Sequence, residues 1–238
     1  MTALRSLLFN ALFYGLTAIL CVLVLPSLAF PRGVLVWLGR VWAWIMVVLL
    51  RFLCGIDHEV RGLVPPGPGG RVYAFKHQSA WDTIMLPLLV RDPMIVMKKE
   101  LLAIPIFGWY LLKTRQVAID RGGGGVALKR MLRAAEAGAR AGRPLVIFPE
   151  GTRMAPGTRR AYHPGVAALY GHLGLPVVPV ALNSGRLWGR RSFAKKPGHI
   201  VVEFLPAIEP GLGRAAFTAE LERRIEEACA RLEREAGS

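Results

Sequence analysis

Apolar and polar positions divide the chain into two unequal parts. From Leu7 to Leu25, nineteen residues pass without a charge, and the apolar run is interrupted by Asn10, Gly15 and Thr17. As a helix this run would be about 28 Å long, just enough to span a bilayer. Gly33 to Leu50 is a second apolar stretch, but it carries Arg40 among Trp37, Trp42 and Trp44. A central arginine costs about 2.5–3.5 kcal/mol on insertion scales, whereas tryptophan and arginine both suit the boundary between lipid and water. The two stretches are therefore expected as a membrane-associating helical hairpin over residues 1–54, either spanning the bilayer or dipping into one leaflet. Arg5 ahead of the first run and Pro26-Ser27-Leu28-Ala29 behind it also resemble a secretory signal, although a second apolar stretch would serve no secreted soluble enzyme. Two core helices, apolar all round, are the other reading.

Beyond residue 55 the period shortens. Short apolar runs predict strands near 58–61, 72–76, 94–97, 116–119, 145–148, 177–182 and 200–205. Longer amphipathic stretches predict helices near 80–89, 101–111, 126–141 and after Pro164. Pro65-Pro66-Gly67-Pro68-Gly69-Gly70 marks a surface turn before the strand at Val72. Such alternation implies an α/β layer fold over residues 55–238, with a mixed, largely buried sheet flanked by helices. Phe217, Leu221, Ile225, Ala228 and Leu232 form one stripe of a last helix whose other face is charged, which is core packing rather than a site.

Composition narrows the partners. Of 238 residues, 53% are apolar, and 31 Lys and Arg against 16 Asp and Glu give a formal charge of +15. That excess calls for an anionic partner: nucleic acid, an acidic membrane surface or a phosphorylated substrate. The basic residues are scattered in short clusters such as Lys98-Lys99 and Arg190-Arg191, and they form no known nucleic-acid module, so no nucleic-acid partner is expected. Cys21, Cys54 and Cys229 are too far apart for a disulfide framework, and the histidines lack ligand spacing. A reducing compartment and no metal are expected.

The candidate chemistry lies in two loops. Lys76-His77-Gln78-Ser79-Ala80-Trp81-Asp82 follows the apolar run 72–75. On one continuous helix His77 and Asp82 would point about 140° apart. If the strand ends at Lys76 and a helix starts near Ser79, the chain can fold them together, and a carboxylate on one ring nitrogen leaves the other free to take a proton. Ser79-x-x-Asp82 is equally a capping box, which needs no catalysis. The second loop, Pro149-Glu150-Gly151-Thr152-Arg153, follows the strand at 145–148 and brings a guanidinium fork suited to phosphate. Gly122-Gly123-Gly124-Gly125 with Ala127 meets the dinucleotide fingerprint, but four consecutive glycines meet it almost automatically. That loop is read as letting Arg121 reach a phosphate, or as merely flexible. No Gly-x-Ser-x-Gly elbow points to a serine hydrolase.

His-x-x-x-x-Asp at 77–82 and Phe-Pro-Glu-Gly-Thr-Arg at 148–153, with Ile-Asp-Arg at 119–121 and Val-Pro-Val at 178–180 in that order, resemble the signature blocks of the glycerolipid acyltransferases. The resemblance is closest to the 1-acyl-sn-glycerol-3-phosphate acyltransferases and covers about residues 70–185. It implies His77 as base and Asp82 as its orienting partner, with Arg121, Glu150, Gly151, Thr152 and Arg153 holding the acceptor. It also implies acyl-CoA or acyl carrier protein as co-substrate, with no cofactor, and a lysophospholipid acceptor drawn from membrane lipids, lysophosphatidic acid becoming phosphatidic acid. Another lysolipid such as lyso-ornithine lipid, or a catalytically silent lipid-binding protein in which His77 and Asp82 serve only as a cap, are the alternatives. Lys76 stands where relatives often have Asn, and Arg115 where a small residue is usual; these departures bear on the headgroup. The positive-inside tendency puts the basic domain on the cytoplasmic face, and a bacterial inner membrane is expected.

Overall fold

The computed structural model of the protein describes residues 2–62, 70–120 and 122–236. Arg121 and all but the last glycine of the 65–70 turn cluster lie outside the described residues.

The hairpin consists of α1 (Thr2–Leu23) and α2 (Arg32–Leu49), joined through a 3-10 turn at Leu25–Ala29. A π turn, Leu50–Cys54, continues α2. Thr2–Leu23 and Arg32–Cys54 are both long and apolar enough to cross a membrane, yet each lays one side along the rest of the protein. On α1, Phe9 meets Trp188 edge-on at 5.6 Å, and Ser6 Oγ accepts the Lys195 N–H at 3.0 Å. Farther along, the carbonyl of Cys21 accepts the Tyr110 hydroxyl at 2.5 Å. On α2, Arg32 forms a bidentate pair with Asp92 at 2.6 Å, and Met46 and Leu50 are fully buried. Arg40, whose charge sits badly in an apolar helix, donates to the carbonyl of Pro87 at 2.5 Å and so finds its partner on the protein rather than among headgroups. The outer sides stay open, with Leu7, Tyr14, Ile19, Trp37 and Trp44 all more than half exposed.

Among the described residues seven strands form one sheet: β1 (Ile56–Arg61), β2 (Val72–Phe75), β3 (Met94–Lys98), β4 (Val117–Ile119), β5 (Leu145–Ile147), β6 (Val177–Leu182) and β7 (Gly198–Phe204). Their order is β1-β7-β6-β2-β5-β3-β4, and every neighbouring pair is parallel except β6 with β7. The central strands β2, β5 and β6 are buried along their whole length, as a parallel sheet covered on both faces requires. β2 shows how the two-residue period sorts the cover. Val72 and Ala74 join the core shared with α5 (Gly124–Arg140), α6 (Pro164–Leu173) and α7 (Arg214–Glu235). Tyr73 and Phe75 join the core shared with α2, α3 (Ala80–Leu89) and Phe9 of α1. The expected α7 stripe is in place, Phe217, Leu221, Ile225, Ala228 and Leu232 each being no more than 5% exposed.

The helix expected over residues 101–111 is broken. A 3-10 turn at Lys99–Ala103 is followed by α4, a single short helix over Phe107–Lys113. Pro105 has no N–H to give and disfavours helical backbone at the residue before it, and Ile104 is indeed extended at φ −70°, ψ 120°. Ile106 then takes φ 64°, a turn that an apolar periodicity cannot foretell.

Candidate active site

Because β2, β5 and β6 run parallel, their carboxyl ends open on one edge of the sheet, the usual place for ligands in α/β layers. Both candidate loops leave from there. Ser79, extended at φ −136°, caps α3 by accepting the Trp81 N–H at 3.1 Å, and Asp82 on the first turn reaches back to the Ser79 N–H at 2.8 Å. The same Asp82 Oδ2 accepts from Gln78 N at 2.7 Å and lies 2.9 Å from His77 Nδ1. Its Oδ1 accepts the Ser184 hydroxyl at 2.5 Å. Capping box and histidine–carboxylate pair are thus one arrangement rather than rival readings. A buried carboxylate with donors on both oxygens is fixed in place as an acceptor, so the hydrogen-bond network assigns the His77 proton to Nδ1 and leaves Nε2 with its lone pair. The imidazole stacks on Phe148 with centroids 4.0 Å apart, which sets its plane. Phe148 opens the 148–153 block and Ser184 lies four residues past Val-Pro-Val, but their contacts to His77 and Asp82 cross between loops and have no signal in local spacing.

The second loop is clasped to the first, Met154 N donating to the carbonyl of His77 at 2.7 Å. Gly151 takes φ 66°, a left-handed position that suits glycine, and its N–H closes a turn on Phe148 O at 2.9 Å. The turn brings Gly151, Thr152 and Arg153 to the wall of the cavity that His77 also lines. Burial draws the half-buried Arg153 guanidinium below its ordinary pKa, the nearby Asp82 carboxylate works the other way, and Arg190 adds to the lowering. Arg153, Arg190 and Arg191 all line the cavity, and among the described residues none of them has an ion pair with a carboxylate. Guanidinium groups without a carboxylate partner suit a phosphate dianion.

Glu150, expected among the acceptor contacts, faces elsewhere. It is fully buried and absent from the cavity wall, with Oε1 3.0 Å from Lys76 Nζ. The two-residue period explains Lys76, which continues the Val72–Ala74 face of β2 toward α7 and pairs with Glu226 at 2.6 Å. Tyr162 donates to the same Glu226 oxygen at 3.1 Å. The Lys76–Glu150 contact is an ion pair without hydrogen-bond alignment, so both Glu150 oxygens lack a directed donor. Burial pushes the Glu150 carboxyl up to about 7, against the pull of Lys76. Lys99 pairs with Asp120, whereas Lys98 reaches the cavity wall. Arg121, a further expected acceptor contact, lies outside the described residues.

The cavity has a volume of about 1100 Å³, above the roughly 300–1,000 Å³ of small-ligand pockets. Its remaining walls are largely apolar and come from every side: Leu20 of α1, Leu35 of α2, Leu111 of α4, and Leu128 and Met131 of α5. Cationic groups and a histidine in a large, mostly apolar cavity suit a molecule with an anionic head and a hydrocarbon tail. Among the described residues no group of His, Cys, Asp or Glu is arranged to hold a metal.

Comparisons with known proteins give the family. The Acyltransferase family model matches residues 59–183, a span that contains both loops and the strands carrying them. The chain belongs to the acyltransferase family and is an acyl-transfer enzyme. It is 36% identical over 233 residues, 94% of this chain and 88% of the relative, to a 1-acyl-sn-glycerol-3-phosphate acyltransferase of Pseudomonas aeruginosa. The protein of the same name from Escherichia coli K12 is 29% identical over 154 residues, 59% of this chain and 58% of the relative. The crystal structure of the 1-acyl-sn-glycerophosphate (LPA) acyltransferase from Thermotoga maritima shares the fold, with a TM-score of 0.78 over 98% of both chains at 19% identity.

Proposed function

We propose that the protein transfers an acyl group from a thioester donor to the sn-2 hydroxyl of lysophosphatidic acid, giving phosphatidic acid for phospholipid synthesis. The observation that carries this reading is the convergence of the His77–Asp82 pair and the unpaired Arg153 on one large apolar cavity.

In this reaction His77 Nε2 takes the proton of the acceptor hydroxyl as its oxygen attacks the thioester carbonyl. Asp82, tied down by its four donors, orients the ring and stabilises the imidazolium. Collapse of the tetrahedral intermediate breaks the carbon–sulfur bond, and the imidazolium returns its proton to the departing thiolate. No enzyme-bound acyl group is formed and no cofactor is needed; acyl-CoA or acyl carrier protein enters as co-substrate. Arg153, with Arg190 and Arg191 beside it and Arg121 as the family pattern implies, clamps the acceptor phosphate. Gly151 and Thr152 shape the same wall. A lyso-ornithine acceptor offers one carboxylate beside an ammonium rather than a phosphate dianion, a poorer match for several guanidinium groups, so lysophosphatidic acid is favoured. Glu150 acts through Lys76 as a positioning residue.

Residues 1–54 serve as the membrane-associating part and residues 55–238 as the catalytic part. Because α1 and α2 rest on the catalytic part from Ser6 to Cys21 and from Arg32 to Cys54, they lie at the lipid surface with their open sides in one leaflet. The enzyme works on the cytoplasmic face of a bacterial inner membrane, and membrane lipids are its partners. The test is an assay of purified protein with lysophosphatidic acid and an acyl thioester. Turnover that falls at least about a hundredfold in His77→Ala supports the reading, since loss of a general base removes that much; unchanged turnover overturns it.

A further inference from the structure

Residues 101–112, Leu-Leu-Ala-Ile-Pro-Ile-Phe-Gly-Trp-Tyr-Leu-Leu, contain no charge although they belong to the catalytic part, and half of them are exposed. Four large side chains stand out from the surface: Ile104 at 43% exposure, Phe107 at 39%, Trp109 at 54% and Leu112 at 59%. The local backbone is built to present them. Pro105 and the left-handed Ile106 turn the chain back, and α4 then packs so tightly on the preceding turn that a Cβ on Gly108 would collide with the carbonyl of Leu102. One side of α4 is thereby pressed inward and Trp109 and Leu112 are turned out. A contiguous apolar surface of this kind marks an interaction site.

Three observations say what covers it. The run follows Lys98-Lys99-Glu100, where Lys99 is paired with Asp120, and is followed by Lys113 and Arg115, which have no carboxylate ion pair among the described residues and suit anionic headgroups beside an inserted apolar patch. It carries Trp109 and Tyr110, the side chains that favour the lipid–water boundary. It is also continuous with the hairpin, because the Tyr110 hydroxyl bonds the Cys21 carbonyl on α1, near the exposed Ile19, Val22 and Leu23. Phe107, Tyr110 and Leu111 line the same cavity as Leu20 and Val24 of α1.

We propose that α4 is a second lipid-inserting element, with Ile104, Phe107, Trp109 and Leu112 entering the leaflet that takes the hairpin and Lys113 and Arg115 resting on acidic headgroups. This rests on the membrane-surface reading above. The wall shared by α1 and α4 then meets the hydrocarbon layer, and an acyl chain reaches the cavity without passing through water.

The experiment uses the full-length enzyme and vesicles of phosphatidylcholine and phosphatidylglycerol, with and without bromine on the acyl chains. Brominated lipid should quench the part of the tryptophan fluorescence that Trp109→Phe removes; if that part is unquenched, the proposal fails. In kinetics, Trp109→Ser with Leu112→Ser should raise KM at least tenfold for long-chain lysophosphatidic acid held in vesicles. Turnover of a water-dispersed, short-chain lysophosphatidic acid should stay within twofold. Equal kinetics on vesicles, or a dimer in detergent that these substitutions dissolve, would overturn lipid insertion in favour of an idle surface or a contact between copies. Absence of short-chain turnover in the unsubstituted enzyme would instead strike at the proposed reaction, while the quenching result would stand alone.

Discussion

Lys76 and His77 are neighbours in sequence and occupy opposite environments. Lys76 is 1% exposed and enclosed between Glu150 and Glu226, with Tyr162 completing the cluster. His77, one residue on, lines the cavity and has a single carboxylate on one nitrogen. The difference separates two uses of the same chemistry. Around Lys76 the ammonium is paired on both sides, and the product is a tie between the sheet, the second loop and α7. Around His77 the carboxylate engages one nitrogen only, which is what the proposed base requires. The tie also reaches the cavity: Glu150 is followed directly by Gly151, Thr152 and Arg153, so fixing its carboxylate fixes the start of the loop that faces His77.

The contrast can be broken from either side. The largest effect is expected from Lys76→Met, which strands two buried carboxylates; loss of one partner from a buried pair costs about 3–5 kcal/mol. Denaturant unfolding would measure it, and a loss below about 1 kcal/mol would mean the cluster carries little. His77→Ala should lower kcat at least about a hundredfold, close to 2.7 kcal/mol in the barrier, while leaving the unfolding midpoint nearly unchanged. A matching loss of stability would place His77 with Lys76 as a structural residue. Arg153→Ala should raise KM for lysophosphatidic acid about ten- to a hundredfold, the worth of one hydrogen bond to a charged group, and spare a monoacylglycerol acceptor. Equal losses with both acceptors would contradict a phosphate clamp.

A last effect depends on pH. Burial lifts the folded-state pKa of Glu150 to about 7 from an ordinary value near 4.5. Between those two values the folded protein binds a proton that the unfolded chain has lost, so wild-type stability falls as pH rises through that window. Glu150→Gln cannot titrate and should therefore be more stable than the wild type at pH 8, with the gap closing toward pH 5. Thermal unfolding at both pH values measures this, and a gap independent of pH would show that Glu150 does not titrate in the window.

Much of this was legible in residue order. Alternating runs gave the strands within one or two residues, since burial on both faces writes a dense apolar signal, and the last helix announced its inner stripe every third or fourth position. The break in residues 101–111 was hidden because Pro105 and Ile106 sit inside an apolar run that a helix period fits equally well. The direction of Glu150 was hidden for another reason: a loop has no period, and its partner Lys76 lies on a different strand.

Residue order by itself determined the chemistry available, namely a histidine and an acid at a strand's exit, a guanidinium loop after another strand, and two apolar stretches at the start. Those follow from local rules of period, capping and charge. The tertiary structure decided which groups meet: that Asp82 serves helix cap and imidazole together, that Ser184 holds its other oxygen, and that Glu150 turns inward while Arg153 turns to the cavity. Such choices are set by parallel strands bringing three distant loops to one edge, where each carboxylate takes the donors that packing leaves within reach.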